Sequence, residues 1–158
     1  MRVRLRLALI AAVLSLVGGR TAHAQTDHAH LGVHGLYNSS FDDWGIGAQG
    51  SVPIAHHLEF YPSFDYYFES PGTMWEGNVD FKLRALGAKF DWVYVGSGLN
   101  IHRQSIPGND LTRAGWNLLA GAESIRGKVH PFGEVRVTVT DNTRFQVQAG
   151  INITLGKS

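Results

Sequence analysis

Residues 144 to 156, RFQVQAGINITLG, alternate in character without a slip. Phe145, Val147, Ala149, Ile151, Ile153 and Leu155 fall on one side, and Arg144, Gln146, Gln148, Asn152 and Thr154 on the other. Successive side chains of a strand point to opposite faces, so this segment must lie between an apolar medium and a polar one. The same period recurs upstream. Val79, Phe81, Leu83 and Ala85 oppose Asp80, Lys82 and Arg84, and Val93, Val95, Leu99 and Ile101 oppose Tyr94, Asn100 and His102. Trp116, Leu118, Ala120 and Ala122 oppose Asn117 and Glu123, while Val129, Val135, Val137 and Val139 oppose His130, Glu134, Arg136, Thr138 and Thr140. Phe132 is out of step in that last segment.

Turn-forming clusters cut the pattern at NSSFDD (38 to 43), PIAHH (53 to 57), ESPGTMWEG (69 to 77), LGAK (86 to 89), RQSIPGNDLTR (103 to 113), SIRGK (124 to 128) and TDNT (140 to 143). Seven breaks delimit eight strands, spanning 30 to 38, 44 to 53, 58 to 69, 78 to 86, 90 to 102, 114 to 124, 129 to 140 and 144 to 156. The expected fold is all-β, an eight-stranded antiparallel up-and-down barrel. Pro62 falls inside the third strand, and because proline removes a ladder donor it is expected near the rim or at a bulge.

The first 24 residues have a basic start, MRVRLR, an apolar centre, LALIAAVLSLVGG, and a small-residue AHA ending at Ala24. They read as a secretory signal peptide, leaving residues 25 to 158 as one domain. Losing Arg2, Arg4, Arg6 and Arg20 brings 14 basic residues to 10 against 13 acidic ones, which argues against a nucleic-acid partner. The absence of cysteine excludes disulfides and thiolate metal sites.

Alternation alone fits two barrels: a secreted carrier with its apolar face inward around a small ligand, as in lipocalins, or a membrane barrel with that face outward around a polar interior. Three features favour the membrane. Charged residues are only 17% of the chain, with four lysines, a thin coat for a water-facing surface. The polar face is self-compensating, with Asp65, Asp80, Glu123 and Glu134 opposite Lys82, Arg84 and Arg136, and it uses small Gly47, Gly96, Gly98, Gly121 and Gly150 where a narrow lumen limits volume. Tyr37, Phe41, Trp44, Trp75, Trp92, Trp116 and Phe145 gather toward strand ends, where bilayer interfaces hold aromatic belts. An eight-stranded lumen is filled by its own side chains, so the interior charges read as a structural plug and the last strand's apolar row as lipid-facing. The two barrels separate on Val137→Arg, which blocks membrane assembly in one and ligand binding in the other.

Metal and catalytic readings are weaker. His28, His30 and His34 share a strand face, as alternate metal ligands do, but Asp27 is the only carboxylate beside them. His56 and His57 share a turn. A histidine, a serine and a carboxylate at a barrel rim form the machinery of lipid A-modifying barrel enzymes, and His102, Ser105 and Glu123 are the nearest candidates. The spacing of His102 and Ser105 puts them on opposite faces, away from hydrogen-bond reach. No catalytic, cofactor-binding or metal residue is therefore expected.

The motifs YVGSGL at Tyr94 to Leu99, GWNLLAGAE at Gly115 to Glu123, PFGEVR at Pro131 to Arg136 and FQVQAGIN at Phe145 to Asn152 resemble the small outer-membrane β-barrel family that includes OmpA-type, OmpX-type and opacity-type domains. The resemblance implies a porin-like scaffold without catalytic activity in a Gram-negative outer membrane. It implies contact with membrane lipid and lipopolysaccharide, and delivery by periplasmic chaperones and the barrel-assembly machinery as a monomer. Family members commonly end on an aromatic residue, where this chain reads LGKS.

Overall fold

The computed structural model describes residues 28–68, 72–84 and 90–155. These form eight strands: β1 (His30–Asn38), β2 (Asp43–Ala55), β3 (Leu58–Tyr67), β4 (Thr73–Leu83), β5 (Val93–Ile106), β6 (Asn109–Glu123), β7 (Val129–Val139) and β8 (Arg144–Thr154). Each pairs antiparallel with its chain neighbours, and β8 pairs with β1 to close an up-and-down barrel. Closure leaves no continuous sheet edge to recruit another chain. Register partners run from Leu58 through Leu83, Val95, Ala120, Val135, Val147, Tyr37 and Trp44 and return to the third strand at Phe68, ten residues further along. The strands therefore lean roughly 40° from the axis, as closing eight of them requires.

The largest boundary differences from the sequence expectation lie at the β5–β6 hairpin and the start of β4, while β5 begins at Val93 rather than at 90 and β2 runs on to Ala55. The stretch 103 to 113, expected as a long loop, continues the β5–β6 ladder to Ile106↔Asn109 and turns only at Pro107 and Gly108, the latter at φ 87°. Likewise β4 begins at Thr73, inside the expected break 69 to 77. The hairpin end carries polar residues on both faces and the start of β4 carries apolar Met74 inward beside outward Trp75, so period-2 contrast disappears in both places while backbone pairing continues. Positions 69, 85, 86 and 156, at the ends of expected strands, lie outside the described residues, as does the segment 1 to 24.

Pro62 is at neither rim nor bulge. It sits within β3, facing outward, and the irregularity between β2 and β3 is at Pro53 and Ala55 instead. Phe132, out of step with the apolar set of β7, is buried inside.

The inward glycines are steric necessities. A Cβ on Gly150 would collide with the Val33 carbonyl and lie 2.7 Å from His34 Cα, and one on Gly121 would meet Tyr94 Cζ at 2.5 Å. The obstacle at Gly150 is backbone, which cannot swing away. Gly150→Ala is expected to destabilise the barrel by about 1–3 kcal/mol, the usual penalty of overpacking. The check is the urea midpoint of the folded band on unboiled gels.

Candidate functional site: a packed interior within an apolar wall

Because the strand period is two, the closed barrel sends one set of side chains inward. The inward set buries six acidic side chains, Glu59, Asp65, Glu76, Asp80, Glu123 and Glu134, with four basic ones, Lys82, Arg84, Arg136 and Arg144. Burying a charge is costly unless it is paired and hydrogen-bonded, so the arrangement of partners decides whether such an interior is tolerable.

At the end that holds both chain termini, Arg84 bridges two strands. Its Nε donates to Glu59 at 2.7 Å, its Nη2 pairs with Glu123, and its Nη1 donates to the Asp91 carbonyl at 3.1 Å. Glu123 also accepts from Asn152 at 2.6 Å. Beside it His30 and His130 stack with ring centroids 4.8 Å apart.

One layer further in, the Lys82 ammonium lies 3.4 Å from the Tyr61 ring centroid, 4.0 Å from Tyr94 and 5.8 Å from Phe132, with Glu134 at 3.7 Å. Three ring faces and one carboxylate replace water around this cation. Phe132 thus breaks the alternation in order to wall a lysine. The Tyr94 hydroxyl donates to Glu134 at 2.9 Å.

Arg136 occupies the middle. Its Nη2 is 3.1 Å from both Asp80 and Glu134, and its Nη1 is 3.7 Å from Asp65. An amide chain continues toward the other mouth: Asn117 donates to Asp80 and Asn78, Asn100 to Asn78, and Asn78 to Asp65. There Glu76 is shared by Arg144 and His102. Phe41 stacks flat on His102, centroids 5.6 Å apart and 7° between planes, and also covers Arg144.

All seven expected network residues, Asp65, Asp80, Lys82, Arg84, Glu123, Glu134 and Arg136, are inward and buried. The network also takes in Glu59, Glu76, Arg144, His34 and His102. Arg144 stands on the polar face of the last strand, and Glu59 shares the strand parity of Asp65. Glu76 is hidden in a segment that reads as loop, and His34 in a row of alternate histidines whose spacing points to metal ligation instead.

The histidine cluster does not assemble. His28 is exposed before β1, His30 stacks on His130, and His34 bonds Gln49 and Asp65, the latter at 2.8 Å. The rim candidates are equally scattered. His102 faces Glu76 within one mouth, Ser105 bonds Asp110 on the projecting hairpin, and Glu123 binds Arg84 at the opposite end. On that hairpin, the Ser105 hydroxyl and then the Arg103 guanidinium, at 3.1 Å, hold the Asp110 carboxyl below its usual range.

The outward set is apolar. Phe145, Val147, Ile151, Ile153 and Leu155 are each more than 40% exposed, and Ala149 lies in the same row. Among the described strand residues, charged side chains at outward positions begin only at Arg103 and Asp110, which pair with each other. A secreted carrier needs the reverse arrangement, with apolar side chains around a cavity, so the lipocalin-like alternative does not match this packing. Of the expected aromatic belt, Tyr37, Trp44, Trp75, Trp116 and Phe145 face outward near one end and Trp92 near the other. Phe41 instead caps the interior, because the short 39–42 turn folds it over the mouth.

The sequence matches no protein-family model and no curated protein sequence. The backbone is similar to solved structures. The N-terminal β-barrel domain of Pseudomonas aeruginosa OprF is 12% identical with a TM-score of 0.64, covering 82% of this chain and 98% of that one. Neisserial surface protein A is 15% identical with a TM-score of 0.59, covering 81% and 96%. A de novo designed transmembrane β-barrel is 8% identical with a TM-score of 0.56, covering 82% and 96%. The chain thus has the closed eight-stranded antiparallel fold on which outer-membrane barrels are built.

Proposed function

We propose that the chain is an integral outer-membrane β-barrel with a structural or surface-interaction role, its interior plugged by side chains and without catalytic activity. The observation that carries this reading is the wall. Among the described strand residues it is uncharged at outward positions between an aromatic row at one end and Trp92 at the other, and it surrounds the ion pairs centred on Arg136. Backbone groups in hydrocarbon are tolerable only when paired, and a closed barrel pairs nearly all of them. Residues 1 to 24 direct export in this reading, and periplasmic chaperones with the barrel-assembly machinery deliver residues 25 to 158. The projecting β5–β6 hairpin, with Arg103, Asp110 and Arg113, is the contact surface on the far side, facing lipopolysaccharide or other cells.

Fractionation tests the proposal. The protein is expected to stay with outer membranes through a high-salt wash and to run at different positions on gels before and after boiling. Recovery as a soluble periplasmic monomer refutes it. In planar bilayers the folded barrel is expected to give no steady conductance, because Arg136, Lys82 and their partners occupy the lumen.

A further inference from the structure

Three prolines stand within the strands, and none has an N–H to give to the ladder. Pro53 does no harm, since β1 begins at His30 opposite Ser51 and Pro53 lies beyond that end. Pro131 is compensated. The Ser124 amide donates to the Pro131 carbonyl at 2.9 Å, and the Ser124 carbonyl, which Pro131 cannot serve in return, is 2.6 Å from His130 Nδ1.

Pro62 has no such remedy. The Phe68 amide donates to the Trp44 carbonyl at 2.9 Å, so pairs two residues apart along β2 and β3 share that hydrogen-bonded geometry. Gly50 then stands opposite Pro62 at a hydrogen-bonded position, and register partners are lost between Gln49↔Ser63 and Val52↔Phe60. The Gly50 carbonyl receives nothing from β3. Neighbouring inward donors are committed elsewhere, Gln49 to Asn152 at 2.7 Å and Ser51 to Glu59. Among the described residues none supplies the missing donor.

On the outward side of this gap lies an open apolar groove of about 570 Å³, lined by Leu31, Val33, Gly50, Pro62, Phe64 and Ile151 among others. Even a Cβ on Gly50 would remain 3.7 Å from its nearest neighbour, Leu31 Cδ2. Along β2, Trp44, Ile46 and Ala48 face outward on one side of Gly50 and Val52 and Ile54 on the other, so the carbonyl lies deep in the apolar band.

We propose that this groove binds one acyl chain bearing a mid-chain hydroxyl, which donates to the Gly50 carbonyl while the methylenes fill the groove. The inference rests on the membrane reading, since hydrocarbon offers no water to meet the carbonyl. A second copy of the chain is the poorer occupant. Midway along its wall the polar outward side chain among the described residues is Ser97, whose hydroxyl already donates to the Asn117 carbonyl at 2.8 Å.

The test uses the barrel refolded into phosphatidylcholine vesicles doped with octadecanoic acid or its mid-chain hydroxylated analogue. Bound lipid is counted by native mass spectrometry after release, and insertion is scored on the same samples by the boiling-dependent gel shift. The hydroxylated acid is expected to be retained about five- to tenfold better, the size of one buried hydrogen bond. Pro62→Ala returns an N–H to Gly50 and should equalise the two acids. Gly50→Leu fills the groove and should release both. An inserted wild-type barrel that retains the acids equally, a preference that survives Pro62→Ala, or a mass of two barrels in place of bound lipid overturns the proposal while leaving the membrane reading standing. A chain that never inserts overturns both.

Discussion

An arginine at Val135 is expected to cost the folded barrel about 2–4 kcal/mol in a bilayer, and the penalty should fall through Val137 to about 0–1 kcal/mol at Val139. The three valines occupy successive outward positions of β7, opposite Ala120, Leu118 and Trp116 of β6. A guanidinium at Val135 has hydrocarbon on every side, whereas one at Val139 adjoins the 140–143 turn and can reach the headgroups. Urea titration of each variant refolded into vesicles, followed by the gel shift, gives the three values. A control arginine at Asn142, in the exposed turn, should leave the midpoint unchanged. A flat response across the series would mean that this face does not meet lipid.

Replacing Arg136 by leucine is expected to be the most damaging single change inside the barrel, at about 3–5 kcal/mol. The size follows from what is left behind. Asp80 and Glu134 at 3.1 Å and Asp65 at 3.7 Å would lose their common cation without access to water. The penalty is one of stranded charge, so neutralising one of the carboxylates left behind should return part of it. Arg136→Leu combined with Asp80→Asn is expected to be more stable than Arg136→Leu alone. A thermodynamic cycle over the two substitutions, read from urea midpoints, checks this coupling. If the single variant unfolds at the wild-type midpoint, the interior is wet enough to solvate its carboxylates and is no plug.

Much of this architecture could be read directly from the order of side chains. The alternation of Phe145 to Leu155 against Gln146 to Thr154 assigns β8 and its two faces. The parity of Asp80, Lys82 and Arg84 against Val79, Phe81 and Leu83 does the same for β4. Where both faces carry polar residues, as at Gln104 to Asp110, the contrast vanishes and a projecting hairpin looks like a loop. Glu76 was obscured because apolar Met74 points inward and apolar Trp75 outward just before it, so no face stands out. Residues that leave the simple code were also opaque: Phe132 is apolar yet inward because Lys82 needs a ring beside it, and Phe41 is drawn from the aromatic rows to cover His102.

The sequence by itself determined the number of strands, the two faces of each and the composition of a polar interior, because those follow from a period of two and from where turns interrupt it. Which charge meets which was decided only by the tertiary structure. The ten-residue offset accumulated around the closed sheet sets Arg136 of β7 against Asp80 of β4 and Asp65 of β3, partners that no local pattern relates. The register of the β2–β3 hairpin places Gly50 opposite Pro62, so that one carbonyl in the wall is left without its donor.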